Sequence, residues 1–228
     1  MRPAADAASD TMSGRAAAWI EADILAGVLA PDSRLGIAET GARYGVGATP
    51  VREALSRLAA RGLVNAIGQR GFRVKAISRE DLADIIRIRT LVEREALRLS
   101  LREGDDAWEG EIVATLHRLK RYIGENPRGF REDEPQFDAL HKSFHTALIA
   151  ACGSPRLLAA HSDLYDQTYR YRRLMMAKFT DPGEFVYAHE RLAEQAINRL
   201  QSEACTTLET HIASTLNLVY PEKPGIAG

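Results

Sequence analysis

The sequence predicts a mainly α-helical chain, with an N-terminal winged helix-turn-helix domain and a C-terminal antiparallel six-helix bundle. Three observations predict it. Two short helical patterns flank the turn Gly45-Val46-Gly47. Two short apolar runs follow, joined by Gly68-Gln69-Arg70-Gly71 as the strands of a hairpin would be. From residue 78 onward apolar residues recur at helical spacing, with no strand signal and no repeat. A length of 228 residues accommodates two modest domains, each able to bury its own core. The expected boundaries are 1–12 for a frayed N-terminus, 13–77 for the first domain, 78–220 for the second and 221–228 for a frayed tail.

In the first domain, Ser13 to about Leu29 reads as a helix burying Ala17, Ile20, Ile24 and Val28, with Trp19 in a packing role. Pro31-Asp32-Ser33 then turns the chain, and Ile37 to Tyr44 forms the next short helix. The helix after the glycine turn has Thr49 as its expected cap and Pro50 in its first turn, where a missing N–H costs nothing. Leu55, Leu58 and Ala59 give it a buried stripe, and Arg52, Arg57 and Arg61 occupy its other face. In a helix-turn-helix this second helix enters the DNA major groove. Residues 62–67 and 72–75 read as the strands of a wing, whose tip offers Arg70 and a glycine for close approach to a phosphate.

Charge supports a DNA partner for this part alone. Residues 43–75 hold seven Arg or Lys against one acid, Glu53, whereas residues 78–228 hold 20 basic and 24 acidic side chains. A solvated basic helix face would explain the charge but not the turn and wing beside it. The expected DNA contacts are Arg43, Thr49, Arg52, Arg57, Gln69, Arg70 and Gly71.

The second domain opens on a capping box, Ser78 with Asp81. Helices are expected at about 79–102, 105–124, 134–151, 154–180, 182–200 and 202–219. Gly104, Gly124 to Gly129, Gly153, Asp181-Pro182 and Pro221 separate or end them, and Ser154-Pro155 and Asp181-Pro182 are cap-plus-proline starts. All six histidines lie in this domain. His141 and His145, four apart, share one helix face, while His189 and His211 fall on the fifth and sixth bundle helices. Facing helices of a bundle commonly build metal sites, and neutral imidazole is the commonest ligand. His117 and His161 read as ordinary polar residues, although His161 faces the bundle. Arg89 interrupts the apolar stripe Leu82, Ile85, Ile86, Val92, Ala96 and Leu99, and Arg172 interrupts Leu158, Leu164, Tyr165, Thr168, Met175 and Phe179. A buried guanidinium demands an anion, which is either an internal partner such as Glu93 or a bound carboxylate.

The run Thr49-Pro-Val-Arg-Glu-Ala-Leu, then Arg61-Gly-Leu-Val and Arg70-Gly-Phe-Arg-Val, resembles the winged helix of the GntR family of bacterial transcription regulators over residues 15–76. One departure is Gly47-Ala48 where the family usually has Ser-Arg, so a base-reading arginine expected at 48 is missing. Residues 79–219 resemble the FCD effector domain of one family branch. Its metal pattern, Asp-x-x-Phe-His followed by two later histidines, falls on His141, His145, His189 and His211, with histidine standing for aspartate at 141. The resemblance therefore implies a divalent transition ion on these four residues, Zn first and Ni second, since nitrogen ligands suit both. Two alternatives stay open: His141 outside the ligand set, or no metal at all. Losing the aspartate leaves the ion at +2, which favours an anionic effector. Arg89, Arg172 and Tyr165 are the expected effector contacts, and Arg89 matches the family's Arg-x-x-x-Glu run ending at Glu93. Pro31-Asp32-Ser33, Gly104-Asp-Asp-Ala-Trp-Glu109 and Ala151-Cys-Gly-Ser154 are similar to the glutarate-responsive carbon-starvation regulators within the family.

The resulting expectation is a ligand-responsive DNA-binding regulator, a repressor of a catabolic operon, working as a homodimer on operator DNA and answering to a small carboxylate or dicarboxylate. A metal-dependent hydrolase is the alternative from another class, but His-Glu-x-x-His is missing, because Ala193 follows His189-Glu190 where the second histidine would stand. A helical scaffold leaves the winged helix and the histidines unexplained. Two cysteines without paired spacing, and no apolar run long enough for a signal peptide or membrane span, suit a cytoplasmic protein.

Overall fold

A computed structural model describes residues 11–68, 71–126, 134–175 and 181–221. The chain divides into two compact units, Met1–Ser78 and Arg79–Gly228.

The first unit starts with helix α1, Met12–Leu25, capped by Thr11, whose hydroxyl accepts from the Gly14 N–H at 3.0 Å. It ends before the expected Leu29, because Gly27 takes a left-handed turn at φ 73°, and this leaves Val28 exposed instead of buried. Strand β1, Arg34–Leu35, leads into α2, Ile37–Tyr44, and α3, Ala48–Ala60. Gly45 adopts φ 67°, which ends α2 at no steric cost. Gly41 matters for a different reason: a Cβ there would lie 2.7 Å from the Val46 carbonyl, so its absence lets the turn fold against α2. The α3 N-cap is Gly47, not Thr49 as expected; the extended Gly47 backbone lets the helix start one residue before Thr49, whose side chain is exposed.

Strands β2, Val64–Ala66, and β3, Phe72–Val74, form the wing in the register Val64↔Val74 and Ala66↔Phe72. The sheet order is β1-β3-β2, all antiparallel, with Leu35 opposite Phe72. Ile20, Ile24, Val51, Leu55, Leu58 and Val74, each wholly buried, anchor the core that fixes α3 against α1 and the sheet.

The second unit is a helical bundle: α4 Arg79–Glu103, α5 Asp106–Glu125, α6 Pro135–Ile149, α7 Pro155–Met175, α8 Pro182–Ile197 and α9 Gln201–Val219. A 3-10 turn, Ala150–Cys152, closes α6 before Gly153 at φ 66°. Asp105 caps α5 by accepting from the Trp108 N–H at 2.9 Å, and Asp181 caps α8 by accepting from Gly183 N–H at 2.7 Å. The Trp108 indole N–H donates to the Ala147 carbonyl at 2.9 Å and so ties α5 to α6. Among the described residues no helix is long and apolar enough to cross a membrane.

Candidate metal centre and DNA-reading helix

Helix α3 turns Val51, Ala54, Leu55 and Leu58 inward and leaves Arg52 and Arg57 on its exposed side. Arg61 does not join them. Its Nη1 sits 2.5 Å from Glu21 Oε2, fastening the end of α3 to α1. Arg43 lies 3.1 Å from Asp23 and over the Tyr44 ring, which also stacks on the half-exposed Trp19 at 6.4 Å. At the wing, Gly71 has φ 94°, a conformation that disfavours side chains. Gln69 and Arg70 lie outside the described residues, as does Phe179.

In the bundle, α6 presents His141 and His145, α8 presents His189 and α9 presents His211. The first three are each 1% exposed, and His211 is partly exposed. One ring nitrogen from each lies within 4.8 Å of the others. His141 Nε2 is 3.0 Å from His145 Nε2 and 2.9 Å from His189 Nε2. Phe137, Phe144 and Phe185 pack their rings against three of these imidazoles. The i, i+4 spacing on α6 brings its two histidines together; the bundle topology brings the other two.

Burial determines their protonation. It pushes His189 down to about 4, despite a hydrogen bond to the Phe185 carbonyl. Burial first, then the charges of Arg172 and the neighbouring rings, holds His141 well below the ordinary histidine range. His145 and His211 are lowered in the same way, by desolvation and then by the adjacent histidines. All four are therefore neutral at pH 7. His189 Nδ1 lies 2.7 Å from the Phe185 carbonyl, to which it donates, so its Nε2 carries a lone pair towards His141. Neutral nitrogens about 3 Å apart suit a shared cation, since two nitrogens bonded at about 2.1 Å to one ion stand roughly 3.0–3.4 Å apart. The donor set therefore fits a transition ion, and His141 Nε2 lies within reach of the other three nitrogens.

The expected effector contacts gather beside this cluster. Arg89 and Arg172 place their guanidinium carbons 4.9 Å and 5.1 Å from the Tyr165 ring centroid, and that ring lies 5.9 Å from His141. Each arginine has an internal partner. Arg89 Nε contacts Glu93 Oε1 at 2.5 Å, with both side chains buried. Arg172 lies 3.4 Å from Asp138 Oδ1, which also accepts from the Tyr165 hydroxyl at 3.2 Å. Burial pushes the Asp138 carboxyl up to about 6, and Arg172 only partly offsets this. Burial would raise Glu93 too, but Arg89 and then His161 outweigh it and hold the carboxyl at about 2.

His161 faces the bundle as expected and is buried, but it is more than an ordinary polar residue, with Nδ1 2.9 Å from Glu93 Oε1. Asp138 was missed, although its place three residues before His141, one turn along α6, puts it on the same helix face.

Comparison with known proteins agrees with the architecture. The family model for the FCD domain matches residues 84–214, and the model for bacterial regulatory proteins of the gntR family matches residues 12–74. The chain is 40% identical over 202 residues to BphR of Paraburkholderia xenovorans, an uncharacterized HTH-type transcriptional regulator, covering 88% of this chain and 82% of the relative. It is 30% identical over 211 residues to the HTH-type transcriptional repressor GlaR of Escherichia coli, covering 91% of this chain and 95% of the relative. The solved E. coli McbR/YncC structure shares the fold, with a TM-score of 0.75 at 18% identity over 92% of this chain and 97% of that one. A winged helix with exposed arginines on α3, joined to a bundle of the effector-binding type, thus has counterparts along nearly its whole length: the chain belongs to the GntR family of transcription regulators, in the branch with an FCD effector domain, and is a DNA-binding regulator rather than an enzyme.

Proposed function

We propose that this regulator is a homodimeric, cytoplasmic repressor that senses a small dicarboxylate of glutarate size at a divalent transition ion held by His141, His145, His189 and His211. The observation that carries the reading is the convergence of four neutral imidazole nitrogens, within 4.8 Å, beside two buried arginines. When bound, the ion supplies a centre of charge +2 that favours a carboxylate oxygen, with Zn the first fit and Ni the second. Arg172 and Tyr165 then hold a second oxygen of the effector. To do so Arg172 exchanges its contact with Asp138 for the ligand, and the Asp138 carboxyl, poised near 6, leaves the arginine at little electrostatic cost.

Arg52 and Arg57 of α3 read or grip the operator, with Thr49 and Arg43 flanking them and Gln69, Arg70 and Gly71 supplying the wing contact. The repressor reading is supported by the name of the GlaR relative, and the dimer by Ile88 and Leu91. These lie exposed on one α4 face, an apolar patch that a second copy would cover. Only Lys75 to Ser78 separates β3 from α4, so movement of α4 on effector binding passes directly into the wing. Paired recognition helices must match half-sites roughly 34–36 Å apart, so a small change in their spacing releases DNA.

The test is metal content together with operator retention. Purified protein should carry or take up one divalent transition ion per chain, and His189→Ala should lose it. If neither zinc nor nickel is retained after reconstitution, the reading fails.

A further inference from the structure

The buried cluster Arg89–Glu93–His161 touches the histidine quartet at one point, and that contact is unusual in its hydrogen bonding. Glu93 is wholly buried on α4. Its Oε1 accepts from Arg89 Nε at 2.5 Å, and His161 Nδ1 lies 2.9 Å from the same oxygen without a hydrogen bond of its own among the described residues. Among the described residues its Oε2 has no hydrogen-bond partner, nor has His145 Nδ1, and these two atoms lie 3.9 Å apart. A buried acceptor and a buried ring nitrogen, both unmatched and both against each other, cost free energy until they meet. A shift of under about 1 Å brings them within hydrogen-bond range.

We propose that Glu93 is a positioning residue of the metal centre, accepting a hydrogen bond from His145 Nδ1–H and so turning the His145 Nε2 lone pair towards the ion. The opposite tautomer would set the Nδ1 lone pair against a carboxylate oxygen and point an N–H at His141 Nε2, where a ligand nitrogen is needed. His189 already uses the same device, with the Phe185 carbonyl as acceptor. The carboxylate has a second role. Without it, the positive charge of Arg89 would oppose a cation in the same interior. Arg89 is therefore the clamp of Glu93 and not the arm that holds the effector, which leaves that part to Arg172. The three residues come from α4 and α7, so the metal centre draws its outer support from helices that contribute no ligand.

This inference rests on the metal reading above, and the experiment separates the two. Zinc affinity is measured by competition with a chromophoric chelator for the wild-type chain, Glu93→Gln and His117→Ala, with unfolding of the metal-free proteins followed alongside. Glu93→Gln keeps the volume but sets an amide against His145, so zinc affinity should fall 10–100-fold, while His117→Ala binds as wild type. Equal affinity for Glu93→Gln and wild type overturns the proposal and leaves the histidine site standing. Failure of the wild type to bind zinc overturns both. Should Glu93→Gln not fold, histidine 15N spectra of the zinc-loaded wild type decide the matter. The expected signature is a protonated, hydrogen-bonded His145 Nδ1; a His145 protonated at Nε2 overturns the assignment.

Discussion

Removing the ion and lowering the pH tests the histidine cluster without reference to any ligand. A histidine whose folded pKa is depressed stays neutral in the native state while the unfolded chain takes up a proton, so stability falls as pH drops below about 6.5. For His189, lowered to about 4 by burial, the loss continues down to that pH and is on the order of 3 kcal/mol. His141, His145 and His211 shift in the same direction. Asp138 opposes them: its carboxyl is raised to about 6, so the folded state binds the extra proton and gains stability as pH falls through that range. It offsets part of the histidine effect, and the four lowered histidines together make stability fall as pH drops from 6.5 to 5. The assay is urea unfolding of chelator-treated protein at a series of pH values, followed by Trp108 fluorescence in a Trp19→Phe background so that only the bundle is observed. Stability that is flat, or rises, between pH 6.5 and 5 would refute the claim that four neutral imidazoles share one buried site.

Further outcomes follow from the same contacts. Arg52→Ala should weaken operator binding; a base contact costs roughly 1–3 kcal/mol and relaxes specificity, whereas a phosphate contact lowers the salt slope by about one, and unchanged affinity and selectivity would remove α3 from the groove. Asp138→Asn should raise stability at pH 8 by up to about 3 kcal/mol, with little gain at pH 4, because a carboxyl ionised in both states pays its burial penalty only in the folded one; a loss at pH 8 would show that its contacts with Arg172 and Tyr165 dominate. Arg172→Gln should abolish the carboxylate response in a DNA-release titration without removing the ion, and a normal response would exclude Arg172 as the effector's arm.

Much of the fold was legible because its signals are local. Gly45 and the helical stripes place α2 at Ile37–Tyr44, and cap-plus-proline pairs mark the starts of α7 and α8. Errors arose where a neighbour in space overrides the local pattern. Strand β1 has only two residues and exists by pairing with β3, so no alternation announces it. Arg61 looks like a DNA-facing side chain until Glu21 of α1 is seen beside it. The quartet was legible in part because His141 and His145 share a turn of helix, but the neutrality of the imidazoles comes from burial, which spacing does not encode. The approach of His161 to Glu93 escaped for the same reason: the two meet only through the packing of α4 against α7.

The central claim, a carboxylate read through a histidine-bound ion and answered at the DNA, is tested most directly by titrating glutarate into operator-bound protein, once loaded with zinc and once stripped. The loaded protein should release DNA over a saturating range of ligand, and by linkage its operator-bound form should bind glutarate more weakly than the free form by the factor that separates the two DNA affinities. Stripped protein should retain DNA throughout. Release at the same glutarate concentration from both samples would contradict the account and make the ion, if present, a structural one.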